Sequence, residues 1–286
     1  MRIYLAQEFG IEKSCKALGL RVSTYYYKSD AKEKRKNRDL SLIKEIEKIE
    51  EDLPRSGYRT VRDILTRTKR INHKRIQRVM QENALIIRRK PSYKHSTTDS
   101  KHKLRKYSNL IQEFKTTNIN QVIVGDITAF DVNGKDHYVS TLMDLHSRNW
   151  IGCAVSDRID TDLVLKTFEA ALMTRGSLAG CIHHTDSDSR YCSEKYIQAV
   201  KDAGMKISMC VGNAYENAHA ESLNKTLKTQ EINVSQYDCK ISAATSIKSF
   251  VEKYNSYRPH SALKGMSPII FENYLNILYP LNETIS

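Results

Sequence analysis

An acidic side chain stands in the middle of the most β-prone run of this chain. Residues 121–132 read QVIVGDITAFDV, with Asp126 set among Val122, Ile123, Val124 and Ile127. β-branched residues at this density favour an extended strand. An ionised carboxylate within such a strand is costly unless something compensates it. A cation is one remedy; a lysine or a backbone group is the other. Any fold of this chain must bring one of these to Asp126.

The runs that follow set the architecture. Residues 137–145 (HYVSTLMDL) and 149–156 (NWIGCAVS) are two more β-rich runs; Asn133-Gly134 is a hairpin signal before the first and the gap around Ser147 joins the two. A helix is predicted over 161–175 with Thr161 near its cap, then a strand over 180–185, a helix over 193–203, a strand over 206–210, and helices at about 216–229 and 241–257. Three antiparallel strands followed by alternating helix and strand resemble the order of an RNase H-like α/β fold, a mixed five-stranded sheet with flanking helices.

Charge divides the chain. Residues 1–120 hold 30 Lys/Arg against 14 Asp/Glu, a net of +16, whereas residues 121–286 hold 16 against 19, a net of −3. A basic region on a near-neutral body is the footprint of a polyanion binder. Its helical patterns favour nucleic acid over a membrane surface. Residues 11–27 read as two short helices around a turn, with Ser23 and Thr24 able to cap the second; a small helix-turn-helix and a docking segment without DNA contact both fit. Residues 28–39 are a linker or an exposed helix. LSLIKEIEKIEE (40–51), Tyr58–Lys69 and Asn72–Asn83 carry helical periodicity, with Asn72 as a cap. The last helix buries Ile76, Val79 and Met80 and turns Lys74, Arg75 and Arg78 outward, as a DNA-binding helix-turn-helix does; a solvated basic face is the plain alternative. RRKPSYKHSTTDSKHKLRK (88–106) reads as an extended linker tracking phosphates. The expected division is a helical segment over 1–39, a helix-turn-helix-like domain over 40–90, a basic linker over 91–117, and an α/β catalytic domain with C-terminal helices over 118–286.

A mean hydropathy of −0.54 and the lack of any long apolar run argue against a membrane span. The start of the chain has no signal-peptide core, and six scattered cysteines without a Cys-x-x-Cys read as idle thiols in a reducing cytosol.

Two further carboxylates have contexts of their own. Asp186 follows the fourth strand in HHTD, and Glu221 lies on a helix in NAHAESLNK, with 34 residues between them. Carboxylates converging from two strands and a helix suit a pair of hard divalent cations, which can cut and rejoin a phosphodiester. On the helix, Asn217, Glu221 and Lys225 share a face and Lys228 lies close to it. A lysine there suits a phosphate held over metals, or pairs with Glu221. His183-His184 has no second ligand pair at zinc spacing; His184 reads better as orienting the site or a phosphate. Arg258 and His260 follow a helix and either contact DNA or cap the catalytic domain.

The chain resembles the OrfB-type catalytic protein of IS-three group insertion-sequence transposases, within the DDE transposase and retroviral integrase superfamily. Gly57-Tyr58-Arg59, Asn72-His73-Lys74-Arg75 and Arg78-Val79-Met80 are similar to its helix-turn-helix. Asp126-Ile127-Thr128, His184-Thr185-Asp186 and Asn217-Ala218 with Glu221-Ser222 are similar to its three catalytic motifs. Tyr254-Asn255, Arg258-Pro259-His260 and Ser267-Pro268 are similar to its C-terminal signature. The resemblance implies two Mg²⁺ or Mn²⁺ ions on Asp126, Asp186 and Glu221, with Thr128, His184, Asn217 and His260 in support. It implies double-stranded DNA, both terminal inverted repeats and target, as partner, with contacts from Arg59, Lys74, Arg75, Arg78, Arg88, Arg89, Lys90, Lys225, Lys228 and Arg258. It also implies at least a dimer on DNA, an upstream OrfA-type product or fusion, and a bacterial, nucleoid-associated cytoplasmic setting.

Four positions depart from the family pattern. Ile123 stands where Trp is frequent, Ser187-Asp188 where x-Gly is usual, Arg190 where Gln is common, and the last spacing is one residue short. Asp188 either adds negative charge to the metal site or points to solvent. A degenerate, DNA-binding remnant and a nuclease of RNA–DNA hybrids are the competing readings.

Overall fold

The computed structural model describes residues 9–26, 31–85, 99, 102–210 and 218–278. Arg88, Arg89, Lys90 and Asn217 lie outside these, as does much of the basic linker. The chain divides into two compact units, Met1–Glu45 and Ile46–Ser286.

In the first unit α1 (Ile11–Ala17) packs against α2 (Val22–Tyr26), the two short helices expected there. The second helix begins one residue before Ser23, so Ser23 and Thr24 sit inside its first turn rather than capping it. α3 (Ala31–Asp52) begins in this unit and is continuous, including residues whose charge left linker and helix both open.

The second unit opens with the end of α3, then α4 (Tyr58–Leu65) and α5 (His73–Glu82). Ile46, Ile49, Leu53, Val61, Ile64, Leu65, Ile76, Val79 and Met80 are buried along these helices. The Asn72 side chain accepts from the Lys74 amide and caps α5. Hydrogen bonds tie this segment to the C-terminal part of the chain. Arg67 donates to the carbonyls of Tyr257 and Gly265, both at 3.2 Å, and the Gln230 amide donates to the Ser56 hydroxyl at 3.3 Å.

The body is a five-stranded sheet of order β3-β2-β1-β4-β5. β1 (Val122–Val132), β2 (Lys135–Asp144) and β3 (Trp150–Ser156) form an antiparallel meander; β4 (Ile182–Thr185) and β5 (Lys206–Met209) run parallel to β1. Asn133 and Gly134 take φ of 52° and 78°, the left-handed pair that a two-residue hairpin between right-twisted strands requires.

Both faces of the sheet are covered. α6 (Thr161–Arg175) and α7 (Glu194–Asp202) close one face over Ile123, Ile127, Leu142 and Ile151. α6 is capped by Asp160, whose carboxylate accepts from the Leu163 amide, one residue ahead of the cap expected near Thr161. α8 (Ala218–Leu227), a π-helical turn (Lys228–Ile232) and α9 (Lys240–Ser256) close the other over Val122, Val124, Phe130, Met143 and Trp150; α10 (Pro268–Leu278) follows. Among the described residues no helix is long and apolar enough to cross a membrane.

The approach of α6 to β3 depends on Gly152, where an added Cβ would run into the Thr167 carbonyl and come within 3.1 Å of the Ala171 side chain. Gly152→Ala should lower stability by about 1–3 kcal/mol, the usual cost of overpacking. Urea denaturation checks this; an unchanged midpoint would mean that the helix has room to move.

Candidate active site

Asp126 lies at the middle of β1, where the pleat alternates faces. Its register partners are Thr141 on β2 and, two residues back, Val124 against His184 on β4. Because β4 is parallel and ends at Thr185, Asp186 emerges at the level of Asp126. Glu221 arrives from the opposite direction, on the first turn of α8, which packs across β1 through Ala220, Leu223 and Leu227. Asp126 and Asp186 are partly buried, whereas Glu221 is exposed.

The electrostatics join the three. The Asp126 carboxyl is pushed up to about 7, first by burial, then by the negative charge of Asp186 and, less, of Glu221. Two hydrogen bonds oppose the rise. The Ile127 amide donates to Oδ1 at 2.8 Å and the Asn224 side-chain amide donates to Oδ2 at 2.7 Å. Lys228 stands near enough to feel Asp126: burial lowers its pKa and the carboxylate partly restores it. Hard carboxylate oxygens whose mutual repulsion raises a pKa are a donor set suited to a divalent cation. Among the described residues, no three His, Cys, Asp or Glu side chains are arranged to hold a metal ion. The trio therefore shares a field without forming a closed ligand cage.

The remaining candidates fall in several places. Thr128 is buried two residues along β1 from Asp126. His184 is buried, with Nδ1 2.8 Å from the Ser208 hydroxyl on β5, and so faces the sheet's edge strand. Lys225 is exposed on α8. Arg258 donates from Nε to Gln230 at 3.0 Å and lies over the Tyr254 ring, and His260 packs against that same ring. Arg59 and Lys74 are exposed, Arg75 is partly buried, and Arg78 is paired with Glu82 at 2.5 Å one turn on.

Residues 117–213 and, by a second model, 203–268 match the family described as integrase core domain; residues 34–93 match an HTH-like domain. The transposase for insertion sequence element IS904 of Lactococcus lactis subsp. lactis (strain IL1403) is 34% identical over 206 residues, covering 71% of this chain and 81% of its own. The "Insertion element IS600 uncharacterized 31 kDa protein" of Shigella sonnei is 31% identical over 264 residues, covering 90% and 96%. This chain belongs to the IS-three group of insertion-sequence transposases. The putative transposase InsK for IS150 of Escherichia coli (strain K12), 29% identical over 276 residues, spans 94% of the transposase and 95% of its own length.

Asp188 of the transposase matches neither expectation. It is 1% exposed, so it does not reach solvent, and its charge is engaged locally. The Asp99 amide donates to Oδ2 at 2.8 Å, the Arg190 amide to Oδ1 at 2.9 Å, and the Arg190 guanidinium to Oδ2 at 2.5 Å. The two departures from the family pattern thus answer each other: an acid in place of Gly is neutralised by a base in place of Gln. The pair closes the turn after Asp186, whose Oδ1 lies 3.3 Å from the Asp188 amide.

Two residues near the site were not singled out from sequence. Asn224 lies three positions after Glu221, on nearly the same helix face, and that spacing was the available signal. Tyr191 is buried under the site; burial and the charges of Asp126 and Asp186 hold its phenol well above the usual range. Nothing local in the sequence marks it.

Asp188→Ala removes the carboxylate that pairs with Arg190 in a partly buried turn and should cost about 3–5 kcal/mol. The double change Asp188→Gly with Arg190→Gln should recover most of that, as a double-mutant cycle would read; additive losses would deny the coupling. Asp126 gives a pH signature. Its folded carboxyl at about 7 binds a proton more readily than the ordinary 3.8, so the folded protein holds more protons between these values. The contribution of this group to the stability of the metal-free transposase is therefore greatest below pH 4 and is lost as the pH rises to about 7, by about 2–4 kcal/mol. Asp126→Asn should flatten that fall in thermal melts; an unaltered slope would place the titration elsewhere.

Proposed function

We propose that the transposase cuts DNA at the ends of its element and joins the freed 3′-hydroxyl to a second strand, with Asp126, Asp186 and Glu221 as the catalytic and metal-holding carboxylates. The observation that carries this reading is that Asp126, buried at the middle of β1, is pushed up to about 7, first by burial, then by the charge of Asp186 from the end of β4 and, least, by that of Glu221 from α8. Such a cluster is unfavourable by itself and is relieved by positive charge. Mg²⁺ or Mn²⁺, two ions held by these residues, would supply that charge and, when bound, lower the pKa of a nucleophile and stabilise a leaving oxygen.

The chain's own groups hold the arrangement in place. Asn224 and the Ile127 amide each donate to one oxygen of Asp126 and fix the carboxylate plane. The Asp188–Arg190 pair holds the turn that presents Asp186. Lys228, at the start of the π-helical turn and near Asp126, and the exposed Lys225 on α8 would engage a scissile phosphate. Arg59, Lys74, Arg75 and Arg78 on α4 and α5 supply positive charge for duplex binding, to which Arg88, Arg89 and Lys90 add. Two element ends must be held together, so the working form is at least a dimer, and an upstream OrfA-type product or fusion completes it.

A strand-transfer assay on labelled element-end DNA, with Mg²⁺ against EDTA, tests the reading. Asp126→Asn, Asp186→Asn and Glu221→Gln should each reduce joined product by at least about a thousandfold, the scale seen when a reaction loses a main source of charge stabilisation. DNA binding should remain close to wild type. Near-normal joining in any one of them would remove that residue from the metal site, and binding without product in the wild type would favour a degenerate enzyme or a missing upstream partner.

A further inference from the structure

A second basic constellation lies beyond the acidic site and takes no part in the chemistry just described. Its centre is the buried phenol ring of Tyr254 on α9. The His260 ring meets it edge-on, with centroids 4.9 Å apart, and the Arg258 guanidinium lies 5.5 Å from its centroid. Asn255 clamps β3 at its first residue, accepting from the Trp150 amide and donating to the Trp150 carbonyl, both at 2.9 Å. That clamp brings the β2–β3 turn to Tyr254, and Arg148 with it. The charge of Arg148 is felt at Tyr254, at His260 and at His219 on α8.

Two guanidinium charges gathered in a partly buried place repel one another. Asp144 is the acid whose charge reaches Arg148, and both of its oxygens already accept backbone amides. Oδ1 accepts from the amides of His146 and Ser147 at 2.9 Å, and Oδ2 accepts from the Asn120 amide at 2.7 Å. Glu272 is held by Arg175. Among the described residues Asp144 acts on the Arg148 guanidinium through its charge rather than through a direct bond, and His260 Nε2 is buried without a partner. Arg148 also has a φ of 61°, a left-handed conformation that suits Gly or Asn far better than a long side chain. Strain of this kind, kept at a residue whose charge is only partly offset, clusters at functional positions. Desolvation draws Arg148, Arg258 and His260 all below their ordinary values, which an anion between them would reverse.

We propose that Arg148, Arg258 and His260 form a binding site for one backbone phosphate of DNA, beside the helix that carries Glu221. A guanidinium fork matches a phosphate in geometry, and two forks with an imidazole N–H around one pocket suit its oxygens. The helix α8 packs against β2, whose end leads into the turn that carries Arg148, so the held phosphate would lie alongside that helix. The site would fix the register of the strand along α8 without reading its bases. It rests on the transposase reading, because that reading supplies the DNA.

The test is the salt dependence of duplex binding by the full chain, comparing wild type with Arg148→Gly, Arg148→Lys and His260→Gln. Gly relieves the left-handed backbone, so Arg148→Gly should fold with a melting temperature no lower than wild type. Its slope of log affinity against log salt should fall by about 0.9, one phosphate's worth, equally on unrelated sequences. Arg148→Lys keeps the charge and should keep the slope, and His260→Gln should weaken binding several-fold. Wild type that binds steeply with salt while folded Arg148→Gly keeps the same slope would overturn the site and leave the transposase reading standing. Wild type that does not bind duplex at all would instead sink that reading, and the site with it. Inorganic phosphate that raises the melting temperature of wild type but not of Arg148→Gly, with no slope difference on DNA, would assign the pocket to a free anion and overturn the DNA assignment.

Discussion

The hydrogen bond from Asn224 to Asp126 ties the helical half of the candidate active site to the sheet. Without it α8 would be held to β1 by apolar packing alone, through Ala220, Leu223 and Leu227. Apolar packing is non-directional and tolerates small slides. A charged acceptor fixed at both oxygens does not, because losing either donor exposes a buried carboxylate to its full desolvation cost. The polar contact therefore sets the register of α8 on β1, and with it the height of Glu221 relative to Asp126 and Asp186. The same bond works against the repulsion that raises Asp126, so one contact serves both geometry and charge.

Around this centre the molecule assigns its other polar residues to holding turns. Asp144 gathers three backbone amides at the β2–β3 connection. Glu272 on α10 meets Arg175, Ser147 and Asn149, anchoring the last described helix to the end of α6 and the same connection. Asp188 and Arg190 do the equivalent for the turn after β4. Each is a partly or wholly buried charge with its partners supplied, which stabilises one arrangement of a loop rather than the fold as a whole. Arg148 stands out against that pattern: among the described residues only the charge of Asp144, and no direct hydrogen bond, answers its guanidinium.

Much of this was legible in the sequence, for reasons that can be named. The sheet order could be read because β1, β2 and β3 are dense in β-branched residues and because Asn133-Gly134 admits only a tight hairpin. Asp126 and Asp186 could be placed level with each other because a parallel β4 must end near the middle of β1. Local pattern did not reveal the pairing of Asp188 with Arg190, since an i,i+2 pair in a turn has no periodicity to betray it. Nor did it reveal Tyr191, whose burial against the acidic site follows from tertiary packing alone. The extent of α3 was uncertain for a related cause: dense charge is compatible with an exposed helix and with a linker alike, and only the structure shows the helix running on. The C-terminal motif Tyr254-Asn255…Arg258-Pro259-His260 was visible as a signature, yet its contacts with Trp150, Gln230 and the β2–β3 turn join positions far apart in the chain.

The two faces of the sheet are built from different stretches of chain, and that has a consequence for the newborn protein. All five strands and the helices of the first face are complete by Met209, whereas the helix bearing Glu221 and the α9 helix that covers it come only afterwards. Synthesis from the N-terminus thus delivers the basic helices and a half-covered sheet first, with one apolar face still bare. On the proposed reading, a chain at that stage carries the basic helices but lacks Glu221, so cutting would wait on the last quarter of the polypeptide.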